Sequence, residues 1–167
     1  MVPALIQSEL IALRKKKVPD FNSALALGMR AEELFLSRLR LHYPHAMKVE
    51  GSFKQFDFYI PDIDSKVELK TDIKSNETGN FVVETFHYGK PSGITTTTAD
   101  FWVFNDDEYY YWVDPDVIKN MILITGIQQA RFVGDGDDTE KRAYLIPKGW
   151  IIDKASLRWN VKEEGQL

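Results

Sequence analysis

Apolar positions along the first quarter of the chain recur with helical spacing. Over residues 4 to 16, Leu5, Ile6, Leu10 and Leu13 share one side of a helix, and the run ends in Arg14-Lys15-Lys16-Lys17 ahead of Pro19. A stronger stretch spans residues 22 to 43, with Asn22 or Ser23 as its N-cap. It stops before Pro44, because a residue preceding proline is driven out of the helical region. From residue 46 the period shortens to two. Phe53 to Ile60, Lys66 to Thr71, Phe81 to Phe86, Phe101 to Phe104 and Tyr109 to Val113 are rich in aromatic and β-branched residues and read as strands. Pro115 to Met121 reads as another helix, with Arg142 to Ile146 and Trp150 to Ile152 as late strands. Gly134-Asp135-Gly136-Asp137-Asp138 is a solvated loop lacking the ligand spacing of an EF-hand, and residues 162 to 167 read as a disordered tail.

Pro61-Asp62-Ile63-Asp64-Ser65 separates the first two strands and has the residues of a turn. An antiparallel hairpin centred between Asp62 and Ile63 pairs residues whose numbers sum to 125. Phe58 then opposes Val67 and Phe56 opposes Leu69 on one face, so apolar meets apolar. On the other face Asp57 opposes Glu68 and Gln55 opposes Lys70, because side chains alternate with a period of two. Two opposed carboxylates repel unless a cation lies between them, and a divalent metal removes the conflict. Lys70 projects from the same face as Glu68, placed to hold an attacking water or to meet charge building on a phosphate.

Composition narrows the chemistry. A chain of 167 residues, 44% hydrophobic, supports one well-buried core, and a single domain over residues 1–167 is expected. The absence of cysteine excludes disulfides and thiolate metal sites, leaving oxygen and imidazole donors that suit magnesium, manganese or calcium. No apolar run approaches the roughly 20 residues that span a bilayer. Met1-Val2-Pro3 followed by Glu9 and Arg14 lacks a secretory layout, so a soluble, intracellular protein without a membrane partner is expected. The net charge of -4 argues against a broad basic coat for nucleic acid. Two bound divalent ions would return about +4 to a local site, so the tally does not decide the matter. The basic run Arg14 to Lys17 serves either phosphates or the negative end of a helix dipole. His42, His45 and His87 form no metal cluster or triad.

Asp57, ten residues, then Glu68-Leu69-Lys70 resembles the PD-(D/E)XK nuclease superfamily, whose core is an acid on one strand and Glu-x-Lys on the next. The proline of the name is absent here, its place being taken by Phe56. A literal Pro61-Asp62 offers a rival alignment, but Asp62 lies at the turn and does not oppose Glu68. Many members carry a further glutamate on the preceding helix, four residues after a glycine, and Gly28-Met29-Arg30-Ala31-Glu32 is similar to that. Helical periodicity places Glu32 between Leu36 and Leu39 on the inward flank and Glu33 between Ser37 and Arg40. The competing reading of Glu32 is an exposed glutamate in a charge pair.

The resemblance implies an α/β fold with a restriction-endonuclease-like core, a central mixed β-sheet flanked by α-helices. It implies hydrolysis of DNA phosphodiesters by in-line attack of water activated at Mg2+ or Mn2+. In that scheme Asp57 and Glu68 bind the metal, Glu32 completes or orients the sphere, and Lys70 positions the nucleophile. Beyond Lys70, the run through Thr71-Asp72-Ile73-Lys74, Glu84, Ser92-Gly93-Ile94 and Asp100-Phe101-Trp102 looks similar to a subgroup of mostly viral and bacterial nuclease-like proteins. The expected setting is therefore the cytoplasm, that of an infected host cell included. Asp72 and Glu84 are either accessory to a second metal or exposed strand residues. Lys74, Ser92 and Thr95 are candidates for phosphate contact, with Pro91-Ser92-Gly93 otherwise a capped connector. A homodimer would suit cutting of two strands. The competing classes are an inactive nucleic-acid-binding or assembly module of the same fold and an unrelated acidic interaction protein.

Overall fold

The computed structural model of the chain describes residues 21–51, 54–133 and 140–162. The helix expected over residues 4 to 16, the loop at 134–138 and the tail beyond Lys162 lie outside them.

Helix α1, Phe21–His42, starts and stops within a residue of the expected bounds. Its interior is dominated by Ala, Leu, Met, Arg and Glu, which lose little side-chain freedom in a helix. Leu36, Leu39 and Phe35 form its buried stripe. The Tyr43 amide donates to Leu39 O at 2.7 Å just before Pro44 ends the helix.

Ten strands follow. A six-stranded sheet has the order β1 (Met47–Lys48), β2 (Phe58–Ile60), β3 (Ser65–Thr71), β6 (Phe101–Asn105), β7 (Tyr109–Val113) and β10 (Leu157–Asn160). Only β3 and β6 run parallel; the other neighbours are antiparallel, so the sheet is mixed. A four-stranded antiparallel sheet has the order β5 (Lys90–Pro91), β4 (Asn80–His87), β9 (Glu140–Pro147) and β8 (Gln129–Val133). Short helix α2 (Ser75–Thr78) joins β3 to β4, α3 (Pro115–Thr125) follows β7, and α4 (Lys148–Lys154) lies between β9 and β10. The chain is thus of the mixed α/β class with a central mixed sheet.

Alternation along β3 and β6 sorts side chains to two cores. On one face, Phe58, Ile60, Val67, Leu69, Val103, Tyr110 and Trp112 pack against Phe35, Leu36 and Leu39 of α1. Phe35 lies 5.2 Å from Phe58 and 4.9 Å from Tyr110, ring centre to ring centre. On the other, Trp102, Phe104, Tyr111 and Val113 meet Phe81 and Val83 of β4, Ile118 of α3 and Ile151 of α4. Each fully buried side chain of this size contributes roughly 1.5–3 kcal/mol. The sheet that carries the candidate residues is therefore covered on both faces.

Two expectations about elements are corrected. Trp150 to Ile152 is helical, inside α4, despite its β-rich composition. The last residue of β9 to pair with β4 is Pro147, opposite Asn80 where β4 begins, so a strand continuing to Ile152 would have no neighbour there. The Lys148 amide turns to Gly79 O at 2.8 Å and the chain coils, burying Ile151. Strand β2 is also shorter than Phe53 to Ile60, for a reason that belongs to the site. No helix among the described residues is long and apolar enough to cross a membrane.

Candidate functional site

The hairpin register sums to 125 as expected, with Phe58 opposite Val67, Tyr59 opposite Lys66 and Ile60 opposite Ser65. The turn is a 3-10 helix, Pro61–Ile63, closed by Asp64 in the left-handed region at φ 47°. Beyond Phe58 the register breaks, and Asp57 does not oppose Glu68 as expected. The Asp57 amide donates to Val67 O at 2.9 Å, so Asp57 and Phe58 both face Val67, the two-against-one geometry of a β-bulge. The Asp57 carboxylate then takes the next place in the ladder, Oδ2 accepting from the Leu69 amide at 2.8 Å. Phe56 does not oppose Leu69 as expected; it packs with the core on the far side of the sheet from α1. Gln55 does not oppose Lys70 either, its Oε1 accepting from Thr98 Oγ1 at 3.2 Å.

The bulge ends β2 early, while β3 runs on to Thr71. Residues 68–71 of β3 are paired with β6 on one side and lie past the end of β2 on the other. Glu68 and Lys70 alternate with buried Val67 and Leu69, so both point away from α1, toward the face carrying Trp102 and Phe104. Lys70 Nζ donates to Glu68 Oε1 at 2.6 Å and stands 4.9 Å from the centre of the Trp102 ring, whose Nε1 donates to Thr97 Oγ1 at 3.0 Å. The ammonium is braced by a carboxylate and an aromatic face. Burial pushes the Glu68 carboxyl above the usual range; Lys70 works against the rise and the charge of Asp57 adds to it.

Glu32 comes in from α1 and, with Gly28, Leu69, Lys70, Thr71, Asp72 and Val82, lines a cleft of about 450 Å³. The glycine-to-glutamate spacing and the Lys70–Asp72 run thus meet at one opening. Glu32 is also held by charge pairs, as the competing reading had it, but with distant lysines and not within the helix. Its Oε2 lies 3.0 Å from Lys48 Nζ and its Oε1 3.4 Å from Lys54 Nζ. Lys54 Nζ also lies 2.9 Å from Asp57 Oδ1, and Lys48 reaches Glu33 at 3.1 Å. Burial works to lower both ammonium groups, yet their carboxylate partners hold Lys48 and Lys54 above the ordinary lysine value. Lys48 and Lys54 carry no expectation from the sequence, and Trp102 enters there only within the run Asp100-Phe101-Trp102. The one local signal was the acid three residues after Lys54.

Among the described residues no three acids or histidines converge into a ready-made metal cluster. The charge of Asp57 is felt at Glu68, whereas Glu32 reaches Asp57 through Lys54. Asp62, the rival acid, is exposed in the turn and bound to His45, Oδ1 to Nδ1 at 2.9 Å and Oδ2 to the amide at 3.2 Å. Replacing Asp62 with Ala is expected to leave any DNA cleavage by the protein unchanged, measured beside the wild type on the same substrate.

The accessory candidates divide. Asp72 lines the cleft, but its oxygens accept from the Ser75 amide at 3.2 Å and the Val82 amide at 3.3 Å, which fixes the turn into α2. Burial raises its carboxyl above the ordinary range, against those two hydrogen bonds. Glu84 lies in the second sheet, where its Oε1 accepts from Ser92 Oγ at 2.7 Å. Thr95 Oγ1 donates to Thr85 O at 3.1 Å, so both hydroxyls expected at a phosphate are spent on β4. Gly93 sits between them at φ +54°, where a Cβ would fall 2.2 Å from Glu84 O; that close approach of two backbones requires glycine. The segment after Ser92 is one 3-10 turn, Gly93–Thr95, docked on β4 as a connector, and the Ser92 hydroxyl does not cap it. Lys74 is exposed at the start of α2.

No protein-family model matches the chain, and no curated protein or solved structure matches it.

Proposed function

We propose that the protein is a metal-dependent nuclease of the PD-(D/E)XK kind that hydrolyses DNA, with Asp57, Glu68 and Lys70 as its chemical centre. The observation that carries this reading is the bulge at Asp57. It buries a carboxylate against β3 beside Glu68 and opens the strand edge where Lys70 meets the cleft lined by Glu32. Burying one carboxylate near another costs stability, and such costs concentrate where the chemistry needs them. The central mixed sheet, with α1 on one face and β3 parallel to β6, supports a restriction-endonuclease-like core.

The donor set fits a hard divalent ion, since Asp57 and Glu68 offer carboxylate oxygens and the charge of one already disfavours ionisation of the other. Asp57 and Glu68 would hold Mg2+ or Mn2+, with Glu32 orienting them from α1. The bound ion supplies Lewis-acid activation of water and of a phosphate oxygen. Lys70, braced by Glu68 and Trp102, positions the attacking water and meets the charge that grows on the phosphate. Retention of both acids and the lysine favours catalysis over an inactive module of the same fold. Incubation of labelled linear, circular and branched DNA with Mg2+, Mn2+ or EDTA tests the proposal. Cutting in either metal and none in EDTA is expected; nicking of circles identifies an endonuclease, and equal cutting in EDTA would sink the metal-dependent reading.

A further inference from the structure

The lysine that joins α1 to the bulge has no part in the chemistry described so far. Lys54 is half-buried, and its ammonium touches one oxygen each of Asp57 and Glu32, at 2.9 and 3.4 Å. Asp57 Oδ2 is spent on the Leu69 amide, so Oδ1, the oxygen Lys54 holds, is the one left for a ligand. One ammonium therefore bridges two acids of the proposed centre, Asp57 and Glu32. It belongs to the irregular stretch ahead of β2, outside any helix or strand, where a side chain can withdraw without breaking a backbone ladder.

From this geometry we infer that Lys54 is a tethered counter-ion of the site, competing with the divalent cation for Asp57 and so setting the metal affinity of the centre. The inference rests on the proposed function. The tethered charge keeps Asp57 and Glu32 from repelling each other while the site is free of metal. A divalent ion that takes Asp57 Oδ1 must displace it, and the work of separating that ion pair is subtracted from the metal's binding energy. Lys48 remains on Glu32 Oε2 and is not displaced.

Calorimetric titration of Mn2+ into the wild type, Lys54→Met, Lys54→Arg and Asp57→Asn tests this. Lys54→Met is expected to bind Mn2+ at least tenfold more tightly than the wild type, Lys54→Arg no more tightly, and Asp57→Asn much more weakly. In a parallel measurement, the Lys54 ammonium signal of the wild type in 15N NMR is expected to leave its ion-paired position on saturation with Mg2+, while that of Lys48 stays. This needs no variant to fold. Binding that depends on Asp57 but is unchanged or weakened in Lys54→Met, with an unmoved Lys54 signal, would overturn the inference and leave the proposed function standing. No binding by the wild type or by Lys54→Met would overturn both.

Discussion

Glu68→Gln is expected to inactivate the protein and to stabilise it at the same time. The carboxyl of Glu68 is raised above its ordinary value of 4.5 by burial, with the charge of Asp57 adding to the rise and Lys70 only partly opposing it. A carboxyl whose folded pKa exceeds its unfolded one holds its proton more tightly in the native state. Its contribution is fully present below the unfolded pKa, about 4.5, and is lost as pH rises through the folded one. At neutral pH, without metal, the ionised Glu68 is therefore a net cost. Glutamine keeps an oxygen for Lys70 Nζ and removes that cost. Thermal unfolding in EDTA at pH 7.5 is expected to show Glu68→Gln with the higher Tm, and the difference is expected to be gone near pH 4. Cleavage in Mg2+ is expected to fall by about 10²–10⁴-fold. A variant that is less stable at pH 7.5 and equally active would contradict both parts.

Asp57 behaves in the opposite sense, because its side chain is a structural member as well as a candidate ligand. Asp57→Ala removes the acceptor of the Leu69 amide at the bulge and one of the two acid partners of half-buried Lys54. An unsatisfied buried N–H costs about 1–3 kcal/mol, while Lys54 keeps Glu32 as a partner, so a loss on the order of 2 kcal/mol is expected. Asp57→Asn keeps an amide oxygen for Leu69 and gives up only the charge, so it is expected to lose about 1 kcal/mol or less while cleavage falls as far as in the alanine variant. Chemical denaturation of the two variants beside the wild type checks this. Equal stability of Asp57→Ala and wild type would mean that the carboxylate does not close the ladder.

The sequence made the hairpin legible because its register follows from alternation and turn length alone: Phe58 faces Val67 and Ile60 faces Ser65. It made α1 legible through Pro44 and the stripe of Phe35, Leu36 and Leu39. The bulge was not legible, because it depends on an aspartate side chain taking a place that the pattern assigns to backbone. Nor were the lysines of the site. Lys48 and Lys54 find Glu32 only after α1 docks on the sheet, a contact between residues 16 and 22 positions apart in the sequence, and no periodicity encodes it. Trp102 meets Lys70 through the parallel pairing of β3 with β6, which joins segments separated by α2, β4 and β5. Ser92, Thr95 and Glu84 have the residue types of a phosphate or metal site, but the two hydroxyls donate instead to Glu84 and Thr85 of β4.

The most direct measurement of the central claim is single-turnover cleavage of circular DNA in Mn2+ by the wild type, Lys70→Ala and Asp62→Ala. Metal-dependent cutting by the wild type, equal cutting by Asp62→Ala and a loss of at least about 10²-fold in Lys70→Ala are expected. Cutting by Lys70→Ala at the wild-type rate, or no cutting by a wild type that folds, would contradict the account.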